Sequence, residues 1–146
     1  MSELLDLPEQ IIAGRRAEIE AAAMGVFFGL AIAEADALIP PELIAGPAMA
    51  VYHRDSGTTF DVTIGYPVSA EPHGTTLDIV RLPAGPALRE VHMGQYQGLG
   101  AAYDRLQAAL TEHGAVRTMS WEVYRTGPRD DPDSSTWRTE VYAPAG

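Results

Sequence analysis

The stretch Thr118-Met119-Ser120-Trp121-Glu122-Val123-Tyr124-Arg125-Thr126 decides the fold. Its composition and alternation predict a strand over 118–126, with Trp121 and Val123 on one face and Glu122 and Tyr124 on the other. The first face is apolar and wants a helix against it. The second carries a carboxylate and a phenol pointing the same way. An ionised carboxylate is costly to bury without a partner. Glu122 therefore meets solvent, pairs with a base such as Arg125 or Arg138, or lines a cavity, and the cavity is the reading pursued.

Outward from this strand, a polar loop over 127–135 leads to a last strand over 136–142. Upstream lies a helix over 95–113 with the stripe Leu99, Tyr103, Leu106 and Leu110, and Gly114 stands where a C-cap belongs. Before it, 76–92 is one long strand broken or bent at Pro83-Ala84-Gly85-Pro86. Glu71-Pro72-His73-Gly74 is the best linker candidate. The first half has the same order. A strand covers 9–19 and a helix covers 21–38, stopping before Pro40-Pro41. The helix stripe is Met24, Phe28, Ala31, Ala35 and Leu38, and Gly25 and Gly29 suggest close approach to another backbone. Strands over 48–54 and 59–68, joined by the turn signal Asp55-Ser56-Gly57, form a hairpin.

The two halves can be aligned by arithmetic. Pro8 to Pro83 is an offset of 75, and the helix stripes repeat at that offset: Met24 with Leu99, Phe28 with Tyr103, Ala31 with Leu106, Ala35 with Leu110. Val51-Tyr52 matches Val123-Tyr124 at 72, while Thr59-Phe60 and Pro67 match Thr136-Trp137 and Pro144 at 77. The offset changes only across loops, which tolerate insertion. The expected fold is α+β: two βαββ modules, about 7–68 and about 76–144, in pseudo-twofold arrangement within a single domain over 1–146. An antiparallel sheet with two helices would leave a central ligand groove between modules. The position matching Glu122 in the first module is Ala50, so the groove holds one carboxylate, which argues against a glycosidase-type acid pair.

Composition narrows the function. A chain of 146 residues with 46% hydrophobic content is ample for a packed core. It has no cysteine, which excludes disulfides and Cys-based zinc sites. His53, His73, His92 and His113 form no close ligand pair, so no metal site and no cofactor are expected. The net charge of −10 repels phosphate backbones, attracts cations and aids solubility. Nucleic acid is not an expected partner. The N-terminus lacks a signal-peptide pattern, and the apolar run 24–33 is too short to span a bilayer, so a cytoplasmic protein without a membrane partner is expected, as monomer or homodimer.

Several pieces together resemble a known family. Leu82-Pro83-Ala84-Gly85, then His92-Met93-Gly94-Gln95-Tyr96, a helix, Trp121-Glu122-Val123-Tyr124 and Trp137-Arg138-Thr139-Glu140-Val141-Tyr142-Ala143-Pro144 resemble the GyrI-like domain. This is the effector-binding domain of AraC-type and MerR-type multidrug regulators. The resemblance is strongest over 76–144; in the first half only element order and Tyr52 agree. It implies two βαββ modules around a ligand groove, a central glutamate at Glu122 that pairs with cationic aromatic drugs, and stacking tyrosines and tryptophans. Some members without a DNA-binding domain hydrolyse cyclopropane-bearing alkylators with a glutamate and a tyrosine, and the founding member inhibits DNA gyrase. The chain leaves no room for a helix-turn-helix domain ahead of the first module.

The expected ligand contacts are Tyr52, Tyr66, His92, Tyr96, Tyr103, Trp121, Glu122, Tyr124 and Trp137, with Glu122 and Tyr124 as catalytic candidates. Bland roles stand beside these: His92 bracing the nearby helix start, Tyr103 and Trp137 as core, Tyr52 and Tyr124 as strand residues with hydroxyls at the surface. The leading expectation is a stand-alone binder of small cationic or aromatic organic molecules. A hydrolase of electrophilic small molecules comes next. A gyrase-binding inhibitor ranks last, because the acids are scattered and only 129–133 is locally dense.

Overall fold

In the computed structural model, which describes residues 2–56 and 58–146, eight strands and two α-helices are present among the described residues. In chain order they are β1 (Glu3–Leu7), β2 (Gln10–Glu20), α1 (Met24–Leu38), β3 (Met49–Ser56), β4 (Thr59–Val68), β5 (Asp78–Leu82), β6 (Gly85–Met93), α2 (Leu99–Glu112), β7 (Ser120–Thr126) and β8 (Arg138–Pro144). A 3-10 turn leads into each helix, Ala21–Ala23 before α1 and Tyr96–Gly98 before α2. Gly57 of the expected hairpin turn lies outside the described residues. The α+β class and the two repeated helix-and-hairpin modules expected from the sequence are present.

The chain divides into two compact units, Glu9–Pro83 and, with the described residues up to Pro8, Ala84–Gly146. In the C-terminal unit the antiparallel strand order is β1-β6-β8-β7. In the N-terminal unit it is β3-β4-β2-β5, also antiparallel. The expected single bent strand over 76–92 is thus two strands in different units. β5 pairs with β2, and β6 pairs with β1 and β8. Pro83 and the φ of +130° at Gly85 break the strand there. The repeat is one strand longer than read, since β1 (Glu3–Leu7) and β5 (Asp78–Leu82) also differ by 75 positions. The opening strand of each repeat sits at the edge of the other repeat's sheet.

The C-terminal unit builds its core on α2. Ala102, Leu106 and Leu110 pack on Leu88, Val141 and Ala143 of β6 and β8, with Leu99 and Tyr103 at the margin. The helix stops as expected. Gly114 takes φ +79°, its N–H bonds to the Thr111 carbonyl, and the Ala115 N–H bonds to Leu110, a Schellman cap. One expectation is reversed. Glu90, Val141 and Glu122 lie abreast on β6, β8 and β7, so α2 covers the face that carries Glu122. Trp121 and Val123 are buried on the other face, where Trp121 stacks on Tyr142 at 5.7 Å and 8°. The reason is register: the apolar residues of β8 that take the helix, Val141 and Ala143, share the parity of Glu122 rather than Trp121.

In the N-terminal unit, Ala35 and Ile39 pack with Ala13, Val68 and Leu77. Ala31, Ile32 and Ala35 are the buried residues of α1, whereas Leu38 from the expected stripe is exposed, as are Val26 and Leu30. Gly25 and Gly29 face open space, contrary to expectation. The close approach occurs at Gly14 and Gly65, paired across β2 and β4, where an added Cβ would lie 2.1 Å and 2.0 Å from the carbonyl oxygens of Ile64 and Ala13. The helical stretch Ala21–Leu38 is longer than the run 24–33 and, by length and composition alone, is long and apolar enough to cross a membrane. It lies against β2 and β4, and its Glu34 is ion-paired to Arg15 at 2.6 Å.

Candidate functional site

The C-terminal unit concentrates its aromatic and acidic side chains around Glu122. This carboxylate is 5% exposed. Strand alternation aims it at α2, and α2 answers with Tyr103, whose hydroxyl donates to Glu122 Oε2 at 2.5 Å. Tyr124, two residues along β7 and on the same face, donates to Oε1 at 2.5 Å. Each carboxylate oxygen therefore has one phenol. Lengths near 2.5 Å belong to charge-assisted O–H···O⁻ bonds, each worth roughly 1.5–3 kcal/mol. Burial pushes the Glu122 carboxyl above its usual range, and the two hydroxyls pull it back only part of the way. Glu122 forms no ion pair among the described residues.

The two arginines offered as its partners are engaged elsewhere. Arg125 and Arg138 both bond Glu140, at 2.8 Å and 2.9 Å, on the face of β7 and β8 that carries Trp121. Tyr142 adds a hydroxyl to Glu140 at 2.8 Å, and Arg89 stands 3.7 Å away. Burial alone would raise the Glu140 carboxyl; the bonds from Arg125, Arg138 and Tyr142 more than offset it, and the group lies below its usual range. One sheet thus carries two buried acids of opposite character. Glu140 is saturated by guanidiniums. Glu122 is held by two phenol hydroxyls, neutral donors that leave its carboxyl above the usual range.

Beyond Tyr124 the aromatic set continues. Tyr96, in the 3-10 turn before α2, meets Tyr124 edge-on at 5.9 Å and stacks on Trp137 at 5.4 Å. Trp137 is fixed by its indole N–H, which donates to the Asp131 carbonyl at 2.7 Å. Gly127 leaves room for this ring: a Cβ at that position would lie 2.8 Å from the Tyr96 hydroxyl oxygen, and the tyrosine would have to shift. Burial, then the nearby charges of Asp130 and Glu122, raise the Tyr96 phenol above its ordinary range. Tyr96 is 39% exposed, so the chain of rings runs from the buried acid to the surface.

The expected residues separate into groups. Tyr96, Tyr103, Glu122, Tyr124 and Trp137 are linked by ring contacts or hydrogen bonds. Trp121 belongs to the opposite face, with Tyr142. His92 takes its bracing role: its Nε2 lies 2.6 Å from the Gln95 carbonyl oxygen, and its ring sits where a Cβ on Gly98 would go. Tyr52 and Tyr66 are in the N-terminal unit. Tyr52 meets Phe60 edge-on at 5.5 Å, and the Tyr66 hydroxyl donates to Asp36 at 2.7 Å. The sequence reading missed Arg117, whose guanidinium carbon lies 5.7 Å from the Tyr103 ring centroid. It also missed Glu90, buried abreast of Val141 and bonded by Arg105 at 3.0 Å. No spacing signal joins an arginine in a loop to a tyrosine one helix earlier. Among the described residues no cluster of metal-ligating side chains occurs.

The GyrI-like small molecule binding domain matches residues 1–145. The chain belongs to the GyrI-like family. Among solved structures this GyrI-like chain is similar to the EcmrR C-terminal domain, with 22% identity and a TM-score of 0.83 over 99% of this chain and 96% of that one. In the EcmrR–DNA complex it spans 56% of the EcmrR chain, at 23% identity and a TM-score of 0.80. SAV2435 bound to tetraphenylphosphonium is similar at 14% identity and a TM-score of 0.74, over 99% and 93% of the two chains. A hydrolase encoded by lin2189 from Listeria innocua follows at 12% identity and 0.61, over 98% and 90%. At these identities the likeness is one of fold. No functionally curated protein matches significantly.

Proposed function

We propose that this GyrI-like domain binds lipophilic organic cations with Glu122 as the anionic centre and Tyr96, Tyr103, Tyr124 and Trp137 as the aromatic surroundings, and that it acts in the cytoplasm. The observation that carries the reading is the pair of phenol bonds to a buried carboxylate. A cation that reaches Glu122 supplies the missing charge, and rings add cation–π attraction. The similarity in fold to a protein bound to tetraphenylphosphonium supports the ligand class. The test is the affinity for tetraphenylphosphonium in wild type and Glu122→Gln. Loss of a buried charge pairing costs about 2 kcal/mol or more, so the variant binds about 30-fold more weakly. Equal affinity would reject the reading.

A second reading is favoured by the same acid. A carboxyl held above its usual range between two hydroxyls can act as a general base on water, with Tyr124 protonating the group that leaves. The fold is shared with a Listeria innocua hydrolase. Mass-spectrometric loss of a cyclopropane-bearing alkylator, abolished in Glu122→Gln, is the expected sign; an intact substrate after hours with excess protein would dismiss it.

A further inference from the structure

We propose that Thr139 is a specificity residue of the Glu122 site: its buried hydroxyl makes a hydrogen bond to a polar group carried by the bound organic cation, so that cations bearing a hydroxyl or amino group are preferred over purely hydrocarbon ones. The inference rests on the reading of Glu122 as the anionic centre. Thr139 is 0% exposed, and its Oγ1 has no hydrogen-bond partner among the described residues. On β8 it stands directly across from Tyr124 of β7 on one side and His92 of β6 on the other. It therefore shares the face that carries Glu122, one row away. The polar atoms beside it are directed elsewhere. The Tyr124 hydroxyl donates to Glu122 Oε1, and His92 Nε2 lies on the Gln95 carbonyl oxygen.

The repeat supplies the comparison. Shifted by 77 positions, Thr139 corresponds to Val62, which is also 0% exposed. The pairings correspond as well. Tyr52 faces Val62 as Tyr124 faces Thr139, and Ala50 faces Ile64 as Glu122 faces Val141. Valine and threonine have nearly the same shape, so strand pairing needs no hydroxyl at this position. A buried hydroxyl without a partner is a cost that valine avoids. The module without the acid carries the valine, and the module with the acid carries the hydroxyl. A polar atom left over beside an anionic centre is satisfied by what that centre binds. A ligand reaches this row by displacing Tyr96, the partly exposed ring that the 3-10 turn carries between Gly94, at φ +112°, and Gly98. Discrimination follows, because an analogue that lacks the hydrogen-bonding group leaves the hydroxyl unpaired.

The experiment uses triphenylphosphonium cations whose fourth ring carries a hydroxymethyl group or, as its near-isostere, an ethyl group, each as the meta and the para isomer. They are titrated into wild type, Thr139→Val, Thr139→Ser and Glu122→Gln. The affinity ratio of hydroxymethyl to ethyl probe is expected to fall roughly two- to tenfold from wild type to Thr139→Val for at least one isomer, the worth of one hydrogen bond, and to be retained in Thr139→Ser. A hydroxyl that serves only the fold, or only holds a buried water, changes both probes alike. A ratio that Thr139→Val leaves unchanged or raised for both isomers, or that Thr139→Ser loses equally, overturns the proposal. Without ligand, Thr139→Val is expected to fold with a urea midpoint at or above that of wild type, since an unpaired hydroxyl is removed. A lower midpoint or a failure to fold would show that the hydroxyl has a structural partner, and overturns it too. If Glu122→Gln leaves every affinity unchanged while the ratio still collapses in Thr139→Val, the charge reading of Glu122 falls and the role of Thr139 stands. If wild type binds none of the probes, both fall.

Discussion

Glu122 gives up hydration around its whole carboxyl group and receives two phenol hydroxyls in return. Because its folded-state pKa lies above the unfolded one, the folded chain keeps a proton that the unfolded chain releases in the window between them. Stability attributable to Glu122 therefore falls as pH rises from the ordinary carboxylate range, and the penalty is complete above the folded value. Tyr103→Phe removes one of the two groups that hold the charged form. That variant is expected to lose about 1–3 kcal/mol of stability at neutral pH in urea unfolding, less below pH ~4, where the acid is neutral in both states. A loss independent of pH would mean that the ring packing of Tyr103, not its hydroxyl, matters to Glu122. At this scale the sequence shows that Glu122 and Tyr124 share a face, because period-2 alternation is a local property. It does not show that this face takes the helix, because that is decided by the parity of Val141 and Ala143 in register across β8. Nor does it show that Arg125 and Arg138 are held by Glu140, a consequence of the same pairing.

Strands and helices are legible where punctuation and period agree. β4 has the expected bounds, Thr59–Val68, although Val62, Thr63, Ile64 and Gly65 are all buried rather than alternating, and α2 is capped by Gly114 for the conformational reason that made it visible, a positive φ. The strand over 76–92 is legible as extended chain. Its division between two sheets is not, because Pro83 and Gly85 fit a bulge or a break equally well, and only long-range pairing separates the two. The glycine signal misleads in α1, where Gly25 and Gly29 meet nothing, and goes unread in β2 and β4, where Gly14 and Gly65 face each other. The two backbones cannot separate without losing ladder hydrogen bonds, so the methyl of Gly14→Ala has no room. Its cost is expected at about 3 kcal/mol or more, the upper end of overpacking, read as a lower urea midpoint at unchanged slope. Gly29→Ala serves as the control and is expected to be neutral or stabilising, since the position is helical and open. Equal effects at the two positions would contradict the close approach.

At the scale of the molecule, the repeat seen at an offset of 75 governs the topology, and the edge strands it includes are placed in each other's sheets. Residues 3–7 therefore belong energetically with 85–89, far along the chain, through the β1–β6 ladder and the Arg89–Glu3 ion pair at 2.7 Å. Deleting residues 1–7 is expected to expose the β6 edge and to speed hydrogen exchange at β6 amides more than at β4; uniform protection throughout would contradict the exchanged strands. The molecule is a GyrI-like small-molecule-binding domain, and the proposal that it takes cations turns on the charge state of Glu122. The most direct measurement is the titration of the Glu122 carboxyl carbon by NMR, assigned by its absence in Glu122→Gln, with and without tetraphenylphosphonium. A pKa above the ordinary glutamate range in the free protein, falling when the cation is added, is the predicted result; an ordinary pKa that the cation leaves unmoved would contradict the account.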